Sequence, residues 1–223
     1  METLAILRGH RVQLRHWRVE DRDAFAAMNA DPRVMAFFRS TLTRRDSDAM
    51  ADRIERHFNE YGFGLWAIEL PGSAAFIGFT GLIWARFNAP FTPAVEVGWR
   101  LAFEHWGQGY ATEAARLALD FGFAIVDLPE VISFTAAGNI RSRAVMERVG
   151  MRRDPAGDFD YPGFPENHPQ RRHLLYRLRP DTSRPAATGA PEPDRTVAEG
   201  GGGGPGAAEP LPPLRSQPTF KLQ

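Results

Sequence analysis

The stretch HWGQGYATEA, residues 105–114, places two glycines directly before a segment with the composition of a helix. The first amides of a helix have no acceptor inside it, and the helix dipole adds partial positive charge there. Gly107 and Gly109 have no Cβ to keep a ligand away from these amides. The stretch therefore predicts an anion site, and phosphate is the anion it suits best. A turn with a purely structural purpose is the alternative.

Two well-known phosphate loops do not fit this stretch. No Lys-Ser or Lys-Thr pair follows the glycines, as a P-loop requires. Thr112 occupies the position of the third glycine of the dinucleotide-binding fingerprint. The pattern is therefore a strand, a glycine turn and a helix without either of those signatures.

The elements around the turn alternate between strand and helix patterns. On the N-terminal side the pattern predicts a strand at 11–17, helical spacing at 19–38 broken at Asp31-Pro32, an amphipathic helix at 43–62, a β-hairpin at 63–85 and a strand at 94–102. On the C-terminal side it predicts a helix at 110–126, a strand at 131–137, a short helix at 139–150 and a strand at 171–178. We expect an α/β (α+β) domain with mixed strand directions.

Three segments, VEVGWRL, WGQGYATEA and NIRSRAVMERVGM, resemble the GNAT acyltransferases in sequence and spacing. The similarity is strongest to the branch that includes the RimJ/RimL ribosomal-protein N-acetyltransferases, and it covers residues 1–180. It implies a mixed, mostly antiparallel central sheet flanked by helices, with acetyl-CoA as co-substrate. The turn motif of the family falls on residues 106–111, and Trp106 replaces its usual Gln or Arg. The resemblance assigns the pyrophosphate to Trp106, Gly107, Gln108, Gly109, Tyr110, Ala111 and Thr112.

The strand before the turn has two faces of different character. Alternation places Glu96, Gly98 and Arg100 on one side of the sheet, and Val95, Val97, Trp99 and Leu101 on the other. In GNAT folds this strand parts from its neighbour, and unpaired main-chain groups bind the pantetheine arm like an added strand. The resemblance assigns that role to the main chain of Trp99, Arg100 and Leu101. The Trp99 side chain itself is predicted to lie in the core.

The third segment begins with Asn139, which has two interpretations. It is a good helix N-cap, and the resemblance makes it a hydrogen-bond partner of the pantetheine or the substrate. Ser142 is predicted to face the same cleft, to contact the cofactor there, and to donate a proton or a hydrogen bond to the departing CoA sulfur. Many GNAT enzymes have a tyrosine for that task one turn later, where this chain has Met146. Ser142 or water must therefore supply the proton.

Glu96 is the candidate general base, because it belongs to the strand that lines the cleft. A solvated or ion-paired carboxylate is the alternative. An α-amino group with a pKa of about 8 is already partly neutral at physiological pH, whereas a lysine at about 10.4 needs more help. A base is therefore useful, and a peptide N-terminus or small amine is the expected acceptor.

The composition excludes several other classes of protein. Basic and acidic residues number 27 each, so net charge favours neither nucleic acid nor an anionic membrane. There are no cysteines, and the six histidines lack metal-ligand spacing, so we expect no disulfide and no metal site. The N-terminus has charges where a signal peptide needs apolar residues, and no membrane span follows. We expect a cytoplasmic protein.

Two further segments have compositions of their own. Residues 181–223 are rich in Pro and Gly and nearly free of large apolar side chains, which predicts a disordered tail. The irregular stretch at 154–173 is either disordered or a lid over the acceptor site. Its Asp158, Asp160 and Tyr161 are the candidate contacts. Glu113, in the first turn of the helix, is expected to have a structural role.

The sequence thus favours an acetyl-CoA-dependent N-acetyltransferase that acts on a primary amine. A catalytically inactive acyl-CoA-binding module is the first alternative, because Met146 lacks the proton donor of the family. An interaction scaffold that uses the tail as its partner-binding arm is the second. Exposed apolar strand edges are compatible with a homodimer.

Overall fold

The computed structural model describes residues 6–180, so the predicted disordered tail at 181–223 lies outside the described residues. The helices of this part are α1 (Asp21–Ala30), α2 (Arg44–Tyr61), α3 (Tyr110–Ala124) and α4 (Ile140–Arg148). The strands are β1 (Leu7–Arg8), β2 (Gln13–Arg15), β3 (Leu65–Leu70), β4 (Ala74–Ala85), β5 (Ala94–Leu101), β6 (Val131–Ala136), β7 (Arg152–Arg153), β8 (Phe159–Asp160) and β9 (Arg172–Leu178). Short 3₁₀ helices cover Phe103–His105 and Pro155–Gly157.

The described strands form one sheet in the order β1-β2-β3-β4-β5-β6-β9-β7, with β8 paired to β9. All neighbouring pairs are antiparallel except β5 and β6, which run parallel. The predicted fold class, a mixed and mostly antiparallel sheet flanked by helices, is confirmed.

Local sequence explains where α1 and α2 end. The helix α1 stops at Ala30, before Asp31-Pro32, because the residue before a proline is disfavoured in helical conformation. Thr43 caps α2 by accepting a hydrogen bond from the main-chain N–H of Asp46. Gly62 ends α2 with a φ of 71°, a left-handed conformation that glycine adopts without steric cost.

The helices pack on the two faces of the sheet. The ring centroid of Phe25 in α1 lies 5.9 Å from that of Phe79 in β4. The helix α1 therefore covers the face of the sheet from which the Phe79 side chain projects. A Cβ on Gly122 of α3 would approach the side chain of Leu82 to 2.8 Å, so α3 lies close against the opposite face. Because Phe79 pairs with Arg100 and Leu82 with Val97, Arg100 faces the α1 side and Val97 the α3 side.

The segment at 154–173 is ordered, contrary to one of its two interpretations. It contains β8 and a 3₁₀ helix, and its aromatic rings join a second apolar cluster on the α1 face of the sheet. Tyr161 is buried in this cluster. The carboxylates of Asp158 and Asp160 form ion pairs with Arg153, Arg171 and Arg172. None of the three lines the cavity of the candidate site, and their role as contacts of the acceptor stays a prediction.

Candidate active site

A cavity of about 930 Å³ lies where β5 and β6 part. The two parallel strands are paired at a single position, Glu96 with Ile132, and beyond it each strand continues without the other. The hydroxyl of Ser133 donates to the carbonyl of Val97 at 2.8 Å and is a further link between them. The opening therefore follows from the sheet itself.

The parted end of β5 offers main-chain groups to this cavity. The N–H of Ala102 donates to Ile77 O at 2.9 Å, which extends the ladder between β4 and β5. Because polar groups alternate in direction along an antiparallel strand, Arg100 directs its main chain toward β4, and Trp99 and Leu101 direct theirs toward β6. The Leu101 carbonyl accepts from Trp106 Nε1 at 2.8 Å. Of the three predicted residues, Trp99 and Leu101 therefore face the cleft with their main chain, whereas Arg100 lines the cavity with its side chain.

The glycine turn forms the end of the cavity nearest α3. Gly107 and Gly109 have φ angles of 74° and 83°, which explains why glycine occupies both positions. A Cβ on Gly107 would meet no atom within 4 Å, so the space beside this residue is open. Gly109 is the N-cap of α3 and contributes no side-chain cap, so the amides of the first helical turn are left for another acceptor.

Basic side chains surround this turn, and no local sequence pattern predicts them. The guanidinium of Arg11 donates to Gln108 O at 2.8 Å and lies 5.0 Å from the ring centroid of Tyr110. The guanidinium of Arg141 lies 5.1 Å from the Trp106 ring. The basic side chains that line this part of the cavity are His10, Arg11, His105, Arg116, Arg141 and Arg148. Glu113 also lines the cavity and pairs with Arg11, but the arginines outnumber this carboxylate, so a chain with no net charge has a locally positive site that suits phosphate groups.

Glu96 lies in the wall of the cavity and is 4% exposed. Burial raises the pKa of its carboxyl well above the ordinary value, because the charged form loses its hydration. Within residues 6–180 the carboxylate has no ion-pair partner. The alternative of a solvated or ion-paired carboxylate does not describe this side chain, and a raised pKa brings a carboxylate closer to the range useful for a general base.

Asn139, Ser142 and Met146 lie at the other wall, at the start of α4. The Asn139 side chain accepts from the main-chain N–H of Ser142 at 3.2 Å and donates to Thr135 Oγ1 at 3.0 Å. The predicted N-cap is thus present, and both residues line the cavity. The ligand role of Asn139 and the proton-donor role of Ser142 stay predictions. Met146 is 1% exposed in the main core, so it takes no part in the cavity wall.

Most of the other predicted residues lie together. Trp99, Trp106, Tyr110, Ala111 and Thr112 line the cavity, and the Trp99 side chain also packs against the core as expected. Gln108 does not line it, and its carbonyl holds Arg11 in place.

The wall opposite the glycine turn is apolar, and no sequence motif marked it. It consists of Val34, Phe37 and Phe38 from the segment after α1, together with Phe79 and Phe134 from the sheet. Two contacts hold the segment over the cavity. The side-chain amide of Gln170 donates to Ala36 O at 2.5 Å, and the Phe37 ring lies 3.6 Å from the position that a Cβ on Gly138 would take.

The described residues contain no group of three or more His, Asp or Glu side chains arranged to hold a metal ion. Among residues 6–180, no helix combines the length and the apolarity that crossing a bilayer requires.

The model of the acetyltransferase (GNAT) domain family matches residues 11–152 of this chain. The chain belongs to the GNAT acetyltransferase family. It is therefore an acetyltransferase with acetyl-CoA as acetyl donor. A curated relative, the uncharacterized protein YkkB of Bacillus subtilis, is 32% identical over 136 residues, which are 60% of this chain and 78% of YkkB.

Solved structures agree with this assignment. An acetyltransferase from Agrobacterium tumefaciens superposes with a TM-score of 0.65 and 28% identity, over 81% of this GNAT chain and 97% of the other. RimJ of Mycobacterium smegmatis, solved in complex with CoA-disulfide, superposes with a TM-score of 0.64 and 20% identity, over 79% and 88% of the two chains. The second likeness concerns the fold alone.

Proposed function

We propose that this GNAT protein transfers the acetyl group to a primary amine, on a small molecule or at the N-terminus of a peptide. The observation that carries the proposal is the continuity of the cavity. It joins the glycine turn and its basic side chains to the parted end of β5 and to the buried carboxyl of Glu96. An acetyl donor and an amine can therefore meet beside a candidate base.

The donor half of the cavity matches the chemistry of acetyl-CoA. The proposed contacts of the pyrophosphate are the amides at the start of α3 and the basic side chains around the turn, because both favour anions. The main chains of Trp99 and Leu101 are the proposed partners of the pantetheine arm, and Asn139 lies on the facing wall.

We assign the general-base role to Glu96, acting directly or through a water. The amine must lose a proton as its nitrogen attacks the thioester carbonyl, and Glu96 is a carboxyl of raised pKa in the cavity wall. The main-chain N–H groups of Trp99 and Leu101 are the proposed donors to the thioester carbonyl, and their direction away from β4 supports this role.

The departing sulfur needs a proton, and Ser142 is our candidate donor. Its side chain lines the cavity at the first turn of α4, whereas Met146 is buried and has no proton to give. Water is the alternative donor. A Ser142→Ala change is expected to lower kcat by more than it weakens acetyl-CoA binding, because the proton is needed only as the sulfur departs.

We also place the chain in the RimJ/RimL-like branch. The sequence of the glycine turn supports this placement, as does the likeness of the folds. A ribosomal-protein N-terminus is one acceptor to be included in the screen below.

The test is a calorimetric titration with acetyl-CoA, using a pair of matched variants. Gly107→Asp adds a negative charge where the pyrophosphate is proposed, at a φ of 74°. Gly62→Asp makes the same change at a φ of 71°, also in open space, but outside the cavity. We expect the parent and the Gly62 variant to bind acetyl-CoA, and the Gly107 variant to bind at least about tenfold more weakly.

A screen of amines for CoA release then separates the alternatives. Release of CoA with an amine supports the transferase. Binding of acetyl-CoA without release by any amine or peptide would favour the inactive binding module. If the parent does not bind acetyl-CoA, the proposal is overturned, and the interaction scaffold is the hypothesis that remains.

A further inference from the structure

Arg100 is a charged residue of the cavity wall that the proposed transfer chemistry does not use. Its side chain is 5% exposed and lines the cavity. Nη1 donates to Asn29 Oδ1 at 2.6 Å, and the guanidinium lies 4.1 Å from the Phe38 ring centroid and 5.3 Å from that of Phe79. Burial lowers its pKa to about 9, so the group stays protonated at neutral pH. The cavity wall thus contains a positive charge packed against an amide and two rings.

The position of this charge separates it from the acetyl-CoA half of the cavity. Arg100 shares a sheet face with Phe79, and that face is covered by α1. The glycine turn belongs to α3, which lies against the opposite face. Glu96 is on the same face as Arg100, since the two are four residues apart on one strand. The guanidinium therefore lies on the side where the acceptor amine meets the candidate base.

A buried guanidinium favours a particular class of group. Electrostatic attraction is stronger in a poorly hydrated site than in water, so an anion gains more there than at the surface. The planar guanidinium also matches the geometry of a carboxylate, with two parallel hydrogen bonds. The rings of Phe37, Phe38 and Phe134 line the same region and offer an apolar surface.

We propose that the acceptor is an anionic amine, in which an apolar body joins a primary amine to a carboxylate. Arg100 binds the carboxylate, the rings contact the body, and the amine lies toward Glu96. This inference rests on the proposed function and narrows its acceptor class.

The spacing along β5 sets the size of a suitable probe. The Cα atoms of residues 96 and 100 are about 13 Å apart on an extended strand, and both side chains project from the same face of the sheet. A benzene ring with the two groups at opposite ends fits this distance. We choose 4-(aminomethyl)benzoate as the probe. In the matched compound 4-(aminomethyl)benzamide a neutral amide replaces the carboxylate, and benzylamine lacks this group altogether. The amine is the same in all three.

The experiment measures kcat/KM for the three amines with the parent, Arg100→Met and Arg100→Lys. The control is Arg45→Met, which changes an exposed arginine of α2 outside the cavity. We expect the parent and the control to prefer the benzoate over the benzamide by at least about tenfold. In Arg100→Met the preference disappears through a higher KM for the benzoate, whereas Arg100→Lys retains part of it. Thermal melting of each variant reports on its folding.

Two outcomes would overturn the inference while the transferase stands. One is an equal kcat/KM of the parent for the benzoate and the benzamide. The other is a loss of kcat in Arg100→Met that is the same for all three amines, which would assign the guanidinium to the transfer step.

If none of the three amines is acetylated, calorimetric titration of the CoA-bound parent with the benzoate and the benzamide decides. Tighter binding of the benzoate than of the benzamide, lost in Arg100→Met, supports the inference, and equal binding overturns it. If the parent neither binds acetyl-CoA nor releases CoA with any amine, this result contradicts the proposed function itself and not the acceptor class inferred from Arg100.

Discussion

The carboxylate of Glu113 in the first turn of α3 accepts the main-chain N–H of Arg11 at 2.6 Å and its Nε at 2.8 Å. Another bond from Arg11, Nη1 to Gln108 O, reaches the glycine turn itself. A residue near the N-terminus of the chain therefore supports the proposed phosphate site, and the structural role expected for Glu113 has a definite partner.

This pair predicts that Glu113→Gln destabilises the fold at pH 7 by about 1 kcal/mol, because an amide is a weaker acceptor than a carboxylate. Burial alone would raise the pKa of Glu113, but the hydrogen bonds from Arg11 and Val12 lower it. The stabilisation is therefore present above the unfolded pKa of about 4.3 and is lost as the pH falls through the folded value. Urea unfolding of parent and variant at pH 7 and pH 3 measures this. A difference of equal size at both pH values would contradict the role of the charge.

We expect the Glu96 side chain to raise kcat and to lower the stability of the fold at high pH. Its raised pKa means that the folded state holds the proton more tightly, so the contribution to stability is present below the unfolded pKa and is lost as the pH rises through the folded value. Glu96→Gln is therefore predicted to be more stable than the parent at pH 8 and equally stable near pH 4. The same change is expected to lower kcat by about a hundredfold or more, with acetyl-CoA affinity unchanged. Unfolding curves at the two pH values, together with steady-state kinetics, provide the check. A variant of full activity would remove Glu96 from the mechanism.

His57 predicts a second pH effect on stability, away from the cavity. Burial lowers its pKa to about 4, although a hydrogen bond to the Phe63 carbonyl opposes the shift. A folded pKa below the unfolded value of about 6.5 means that stability falls as the pH drops from 6.5 to 4, by up to about 3 kcal/mol. Denaturant unfolding across this range tests it. His57→Gln should flatten the dependence, and an unchanged slope in that variant would place its cause at another group.

The basic residues around the glycine turn predict that acetyl-CoA binding depends on salt. Charges on the ligand and on Arg141 interact over distances that added salt screens, because the Debye length falls from about 10 Å at 0.1 M to about 3 Å at 1 M. Arg141→Gln is expected to weaken binding several-fold at low salt and less at high salt, whereas the exposed Arg45→Gln should have no effect. Calorimetry at the two salt concentrations distinguishes these cases. Equal losses at both would indicate that Arg141 acts by packing on Trp106.

Local patterns were enough to predict most of the elements. The break at Asp31-Pro32, the hairpin and the helices after the glycine turn and after Asn139 all occur near the predicted positions. The two-residue strands β1, β7 and β8 were missed, since so short a strand has no periodicity to detect. Local sequence does not distinguish disorder from a lid for the segment at 154–173, because its order depends on packing against distant aromatic residues such as Phe87.

The candidate site was predicted unevenly for the same reason. The glycine turn and Asn139 are local features, since their conformations follow from residues a few positions apart. Arg11 and Glu113 are 102 residues apart, and Arg100 and Asn29 are 71 residues apart, so no local pattern relates them. The equal numbers of basic and acidic residues likewise did not predict the positive region around the turn, because net charge contains no information on where the charges lie.

By itself the sequence determined the family, the order of the elements and the turn whose bare amides suit an anion, because these depend on neighbouring residues. Alternation along β5 also placed Glu96 and Arg100 on one face. Only the tertiary structure decided that this face is covered, so that both charged groups are buried in the wall of one cavity. Burial and the local field are set by segments that meet only in the folded chain, and they change the pKa of a side chain whose identity stays the same.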